Sequence, residues 1–173
     1  MTTSRGNNKI QELPLAERAG VACAQLRRAF VSQGLILSLK VQRDVLVVAD
    51  SDRVTQVLVT SNALRHTQHG GVAVRIDGSG RLGWLKVRDT GEGISTQDLP
   101  HAFERFYRSD QSRARDAEEN IGAGVGLTVS HHLVVAMGAT IQVSSTEGVG
   151  STFTVRLPQG LTGELAGRSE QVG

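Results

Sequence analysis

Between Pro14 and Gln33 the apolar residues Leu15, Ala19, Ala22, Leu26 and Ala29 recur near helical spacing, and Gly34 closes the segment. The pattern then shortens into two β-rich runs, Leu35–Val41 and Val45–Ala49, which predict strands joined by the polar turn Gln42-Arg43-Asp44. Asp50 or Ser51 caps a second predicted helix that reaches about His66, with Val54, Val57, Leu58 and Leu64 turned inward. Gly71–Asp77 and Arg81–Arg88 alternate as the strands of a hairpin across Gly78-Ser79-Gly80, and Trp84 in the second strand is expected in the core. Asp98–Arg105 predicts a short helix. Tyr107–Ile121 is charged, rich in arginine and without periodicity, so it reads as a mobile loop, of a length that is usually functional or disordered. Val125–Met137 predicts a third helix stopped by Gly138, and Ala139–Ser145 with Ser151–Leu157 a closing hairpin.

Strands and helices that do not alternate regularly predict an α+β fold: a two-layer α/β sandwich, with a mixed, mostly antiparallel sheet and helices on one face. The expected organisation is a flexible N-terminus over 1–12, one domain over 13–158 and a flexible tail over 159–173.

Composition narrows the function only a little. The chain has 173 residues, 21% of them charged, and a formal charge of +2, so a nucleic-acid partner is not expected. Cys23, the single cysteine, sits on the apolar stripe of the first helix and reads as a structural thiol. No apolar run approaches the roughly 20 residues of a membrane span and no signal peptide opens the chain. A cytoplasmic location without membrane insertion is the expectation. No Cys/His cluster has the spacing of a structural zinc site.

The chemistry concentrates in two glycine clusters, Asp89-Thr90-Gly91-Glu92-Gly93 and Gly122-Ala123-Gly124-Val125-Gly126. The first sets a carboxylate beside glycines that let a flat ligand approach the backbone. The second opens a helix, whose unpaired N–H groups and dipole favour phosphate. Neither fits a Walker A loop, which needs a following lysine, or a dinucleotide fingerprint, where Leu127 stands in place of the last glycine. A base followed by phosphates describes a purine nucleotide.

With these clusters, three more segments fall in a known order: Ser61-Asn62-Ala63-Leu64-Arg65-His66-Thr67, Phe103 to Arg108 (FERFYR) and Gly150 to Pro158 (GSTFTVRLP). From Asp50 to Pro158 the chain resembles the ATP-binding catalytic domain of bacterial sensor histidine kinases, in the superfamily of the Hsp90, MutL and type II topoisomerase ATPases. The resemblance implies ATP and magnesium as cofactors. It gives Asp89 the adenine amine, Gly91 and Gly93 close backbone approach, and Ile94 packing on the base. Thr152 would support the adenine-binding carboxylate. Gly122, Gly124, Gly126 and Leu127 would hold the phosphates and hinge a lid anchored by Phe103 and Phe106. Asn62 would be the magnesium ligand, with Arg65 and His66 reaching phosphate oxygens. Gly148 and Gly150 read as plain hairpin residues, and His69, His101, His131 and His132 as solvated or core histidines.

Two departures from the family shape the expected function. No histidine is followed by the acceptor pattern His-Glu-Leu/Ile-Arg-x-Pro, so the chain looks like a catalytic half without its acceptor half. Its γ-phosphoryl would then pass in trans to a histidine on a partner protein, a membrane-associated or dimeric sensor subunit, with a response regulator downstream. The family's Asn-x-x-x-Asn is also incomplete: Asn62 is present, but Leu58 stands four residues earlier and the helix looks two residues short. Such a deletion turns everything upstream by about 200°. Gln56, Thr60 or Ser61 are the candidate substitutes, and weaker Mg·ATP handling is expected. The alternatives are a degenerate nucleotide-binding regulatory module, and a serine kinase of the anti-sigma type.

Overall fold

The computed structural model describes residues 10–60, 67–104 and 126–160. In chain order these form β1 (Ile10–Pro14), α1 (Leu15–Ser32), β2 (Ile36–Val41), β3 (Leu46–Asp50), α2 (Ser51–Thr60), β4 (Gly71–Ser79), β5 (Leu82–Asp89), a single 3-10 turn (Leu99–His101), α3 (Gly126–Ala136), β6 (Thr140–Thr146) and β7 (Gly150–Pro158). Helix α1 starts where its stripe starts. Leu15, Ala19, Ala22, Cys23 and Phe30 are buried, and after Ser32 the Gly34 and Leu35 amides close the end on the Val31 and Phe30 carbonyls. Burial pushes the Cys23 thiol up, partly opposed by the Arg27 charge, which keeps it a neutral core group. The Asp50 carboxylate accepts the Asp52 and Arg53 amides and so caps α2.

The main sheet has the order β2-β4-β5-β7-β6, with β2 parallel to β4 and every other pair antiparallel. Helix α2 packs between α1 and α3, and Val54, Val57, Leu58 and Val134 join Val72, Val74, Ile76, Leu85, Val87 and Val155 in one apolar cluster. The fold is therefore α+β, a mixed and mostly antiparallel sheet with helices against one face. Among the described residues no helix is long and apolar enough to cross a membrane.

Several expectations change. The two β-rich runs after α1 are strands but not partners, because β2 joins the main sheet while β3 pairs with β1 in a separate two-stranded sheet. The connecting turn serves another element: Asp44 Oδ1 accepts the Ala16 amide in the first turn of α1. Strand β1 takes Ile10, Gln11 and Glu12 out of the stretch expected to be flexible, since their backbone pairs with β3. At the other end Gln159 bridges to Val47, and the Gly160 amide donates to the Leu46 carbonyl, so both residues of the expected tail that lie within the described structure are held to β3. Of the helix expected over Asp98–Arg105, residues 98–104 hold only the 3-10 turn, preceded by Ser95, whose hydroxyl donates to the Asp98 carboxylate and accepts the Asp98 amide; Arg105 lies outside the described residues. Trp84 is not a core residue. Gly83, Leu85 and Val87 take the helix-facing side of β5, which leaves Trp84 half-buried on the opposite face under Lys86. Leu64, Phe106 and the segment 107–121 lie outside the described residues.

Candidate functional site

Alternation along β5 carries the helix-facing side from Leu85 and Val87 to Asp89, so the strand ends with a carboxylate where its pattern calls for an apolar side chain. Asp89 is 5% exposed. Oδ1 accepts two backbone hydrogen bonds, from the Gly91 amide at 2.9 Å and the Ser151 amide at 3.2 Å. Both bonds at this carboxylate among the described residues fall on Oδ1, and Oδ2 remains as the acceptor for an incoming donor.

The loop after Asp89 is fastened to the β6–β7 hairpin. The Gly148 amide donates to the Glu92 carbonyl at 2.7 Å, and the Ile94 amide donates to Ser145 Oγ at 2.8 Å. Ser145 Oγ gives its only proton to the Gly150 carbonyl at 3.0 Å, so in its 2.9 Å bond with Ser151 Oγ the donor is Ser151. Ser145 thus closes three hydrogen bonds at the joint between loop and hairpin. Two glycines let the backbones meet. At Gly93 (φ 71°) an added Cβ would overlap the Thr146 carbonyl, and at Gly150 (φ 129°) it would overlap the Asp89 carbonyl. Gly93 therefore provides close approach, but to the hairpin. Gly150 is a structural part of the site and not a plain hairpin residue, whereas Gly148 (φ 77°) has open space around it. Thr90 ties in the other side: its hydroxyl accepts the Gly71 amide and donates to the His69 carbonyl, each at 3.0 Å.

Thr152 does not support Asp89. On β7 the residues Ser151, Phe153, Val155 and Leu157 are buried toward the helices, and Thr152 stands across from Arg88 on the other face. The residue that reaches the carboxylate is Ser151. The contact is made by its backbone amide; the apolar parity of 153, 155 and 157 already places the 152 side chain on the outer face, which is the signal that could have excluded it. Nothing comparable in the sequence marks Ser145 or Thr90, whose roles arise from strand register.

Gly126 opens α3 and Leu127 follows, both half-buried. The buried Thr128 hydroxyl lies 3.0 Å from the Glu104 carbonyl and 3.3 Å from that of Phe103, and the Phe103 ring sits 5.4 Å from the His131 ring. These contacts bring the end of the 95–104 segment against the start of α3, with Phe103 beside His131. His101 is paired with Glu104 at 2.7 Å. Asn62, Arg65, His66, Gly122 and Gly124 lie outside the described residues. Leu58, the departure from the family's paired amides, is 4% exposed within the apolar cluster. Gln56 is exposed and lines a groove between α1 and α2 beside Arg18 and Val21. Among the described residues no group of three or more His, Cys, Asp or Glu could hold a metal ion.

The family model described as "Histidine kinase-, DNA gyrase B-, and HSP90-like ATPase" matches residues 49–161. The chain belongs to this ATPase family. Among curated relatives, the sensor histidine kinase YclK of Bacillus subtilis is 34% identical over 153 residues, covering 87% of this chain and 32% of the relative. The chain thus spans about a third of that relative's length. Among solved structures, full-length ShkA in complex with AMPPNP superposes with a TM-score of 0.73 at 24% identity, over 87% of this chain and 31% of that one. The catalytic domain of histidine kinase ThkA gives 0.73 at 19% identity, over 87% of this chain and 98% of that one. Such likenesses speak to the fold, which is that of histidine kinase ATPase domains.

Replacing Ser145 with alanine removes the joint between loop and hairpin. It strands the Ile94 amide and the Ser151 hydroxyl in partly buried positions. The expected cost is about 1–3 kcal/mol, read as a lower denaturation midpoint, with weaker adenine-nucleotide binding in the same protein.

Proposed function

We propose that this domain binds Mg·ATP and passes its γ-phosphoryl in trans to a histidine on a partner protein. The observation that carries the nucleotide reading is the Asp89 carboxylate, with Oδ1 held by two backbone amides and Oδ2 left to accept. The exocyclic amine of adenine is a donor that suits Oδ2, whereas guanine presents a carbonyl oxygen at that edge and would set acceptor against acceptor. Ile94, half-buried beside this carboxylate's loop, would pack on the base, and Gly91 and Gly93 would shape the loop beneath it. Gly122, Gly124, Gly126 and Leu127 would meet the phosphates where α3 begins, with the helix dipole favouring negative charge. Arg65 and His66 would neutralise phosphate oxygens, and Asn62 would contribute an amide oxygen to magnesium.

Magnesium keeps waters readily, so one amide oxygen together with phosphate oxygens is a workable donor set. It would screen the triphosphate charge while the chain supplies position. An acceptor imidazole nitrogen attacks the γ-phosphorus, the bond from that phosphorus to the β–γ bridging oxygen breaks, and ADP leaves with the electron pair. The proton on the other imidazole nitrogen passes to a carboxylate of the partner. The chain's residues orient the nucleotide for in-line attack at about 3–3.5 Å. No histidine within these 173 residues is followed by the acceptor pattern, and the proposal gives that role to a dimeric or membrane-associated sensor subunit. A cytoplasmic site of action and a response regulator downstream belong to the same proposal.

A nucleotide-binding module without transfer is the second reading, favoured by the buried Leu58, which offers magnesium no oxygen. Incubation with γ-labelled Mg·ATP separates the two. The expected result is no label on this chain alone, and acid-labile, alkali-stable label on an added acceptor-histidine protein. Label on no acceptor, with nucleotide still bound, would leave the regulatory module standing. Strong self-labelling would contradict transfer in trans.

A further inference from the structure

The side of the main sheet turned away from the helices is cationic. Strand register places Lys40, Arg75 and Lys86 side by side on β2, β4 and β5, with Arg88 two positions further along β5 and Arg156 on β7. Asp77 is the one carboxylate among the described strand positions of this face, and Trp84 stands between it and Arg156. None of the five cations is ion-paired among the described residues; Arg156 bonds the neutral Gln142, and Lys86 lies 5.3 Å from the Trp84 ring centroid. Lys40, Arg75, Lys86 and Arg88 are exposed.

A solvated sheet face ordinarily mixes signs, because like charges directly opposite each other on neighbouring strands destabilise the pairing. Here two successive cross-strand pairs, Lys40 with Arg75 and Arg75 with Lys86, are like-charged. One acidic residue at position 75 would turn both into attractive pairs. The arrangement works against the sheet and suits an external anion.

We propose that this face docks a carboxylate-rich segment of a partner protein. Backbone positions on neighbouring strands lie about 4.8 Å apart, and those two positions apart along a strand about 7 Å. Carboxylates three or four residues apart on a helix, at about 5–6 Å, fall within that lattice. Three of the five cations are arginines, whose planar forks pair with carboxylates bidentately. Single-stranded nucleic acid would need a platform of stacked rings, and the one described aromatic on these strand positions is overlain by Lys86. A lipid surface would need a continuous apolar patch, and the exposed Ile36 and Leu82 lie on strands separated by β4. Asp89 faces the other side of the sheet, so a docked segment leaves that carboxylate's side open, and the proposal does not depend on the nucleotide reading.

The test uses the full chain and a fluorescent oligo-glutamate peptide, followed by anisotropy at low ionic strength. Binding that weakens with salt is expected. Arg75→Glu should weaken it about tenfold while the melting temperature holds or rises, because the new carboxylate lies between Lys40 and Lys86. Arg28→Glu, the same charge change on an exposed position of α1, should leave peptide binding within about twofold. Equal loss in both variants would reduce the effect to net charge and overturn the proposal, as would absence of binding to the unmodified chain. Tighter binding of oligo-dT or phosphatidylserine vesicles than of the peptide, lost in Arg75→Glu, would overturn the choice of partner.

Discussion

Gly93→Ala is expected to separate the loop after Asp89 from the β6–β7 hairpin and abolish adenine-nucleotide binding. The new Cβ would enter the space of the Thr146 carbonyl oxygen at a backbone φ of 71°, a region that costs an ordinary residue about 1–2 kcal/mol before any overlap is counted. Relief requires the loop to lift, which breaks the Gly148–Glu92 and Ile94–Ser145 hydrogen bonds at about 0.5–1.5 kcal/mol each. The sum is about 3 kcal/mol or more, equivalent to a fall of roughly 6–12 °C in melting temperature for a chain of this size. Gly148→Ala is the internal comparison. It shares a positive φ of 77° but meets nothing within 4 Å, so it should lose much less. Thermal melts of the two variants, with nucleotide titrations on each, check the difference.

Leu58→Asn tests the missing amide. Seen from the family pattern, this substitution restores the first of two paired asparagines and should strengthen the grip on Mg·ATP. The fold predicts the opposite. Leu58 is 4% exposed within the apolar cluster, so its replacement forfeits about 1.5–3 kcal/mol of burial. The amide is also left without water, at about 1–3 kcal/mol more. A destabilisation near 3–5 kcal/mol is expected, with no gain in affinity or transfer. Chemical denaturation measures the first and nucleotide titration the second. A variant of normal stability that binds Mg·ATP more tightly would show that position 58 faces the phosphates.

Much of the architecture could be read from local signals. The stripe of α1, the Asp50 cap of α2 and the two hairpins depend on side-chain period and turn chemistry within short windows, and they stand where expected. What escaped depends on partners distant in the chain. β2 and β3 have the composition and the spacing of a hairpin, but β2 finds a parallel neighbour in β4 and β3 an antiparallel one in β1, choices made by tertiary packing. The Trp84 and Thr152 assignments failed for one shared reason. Alternation shows which residues share a face but not which face is covered, and both residues sit on the side away from the helices. At the site, Asp89 was legible because a carboxylate followed by glycines at the end of an alternating strand has few uses. Ser145 was not, because one serine in the polar run Ser144-Ser145-Thr146 becomes a joint only when the hairpin meets the loop.

The most direct measurement is a nucleotide titration of Asp89→Asn. The two backbone amides that bond Oδ1 would hold the amide oxygen of the variant, placing its NH2 group where Oδ2 now accepts. Shape is kept and only the outward atom changes from acceptor to donor. The unmodified chain should bind ADP in clear preference to GDP. The folded variant should lose about ten- to a hundredfold in ADP affinity while the preference over GDP narrows. Unchanged ADP affinity in a variant that melts like the parent would contradict adenine recognition by this carboxylate.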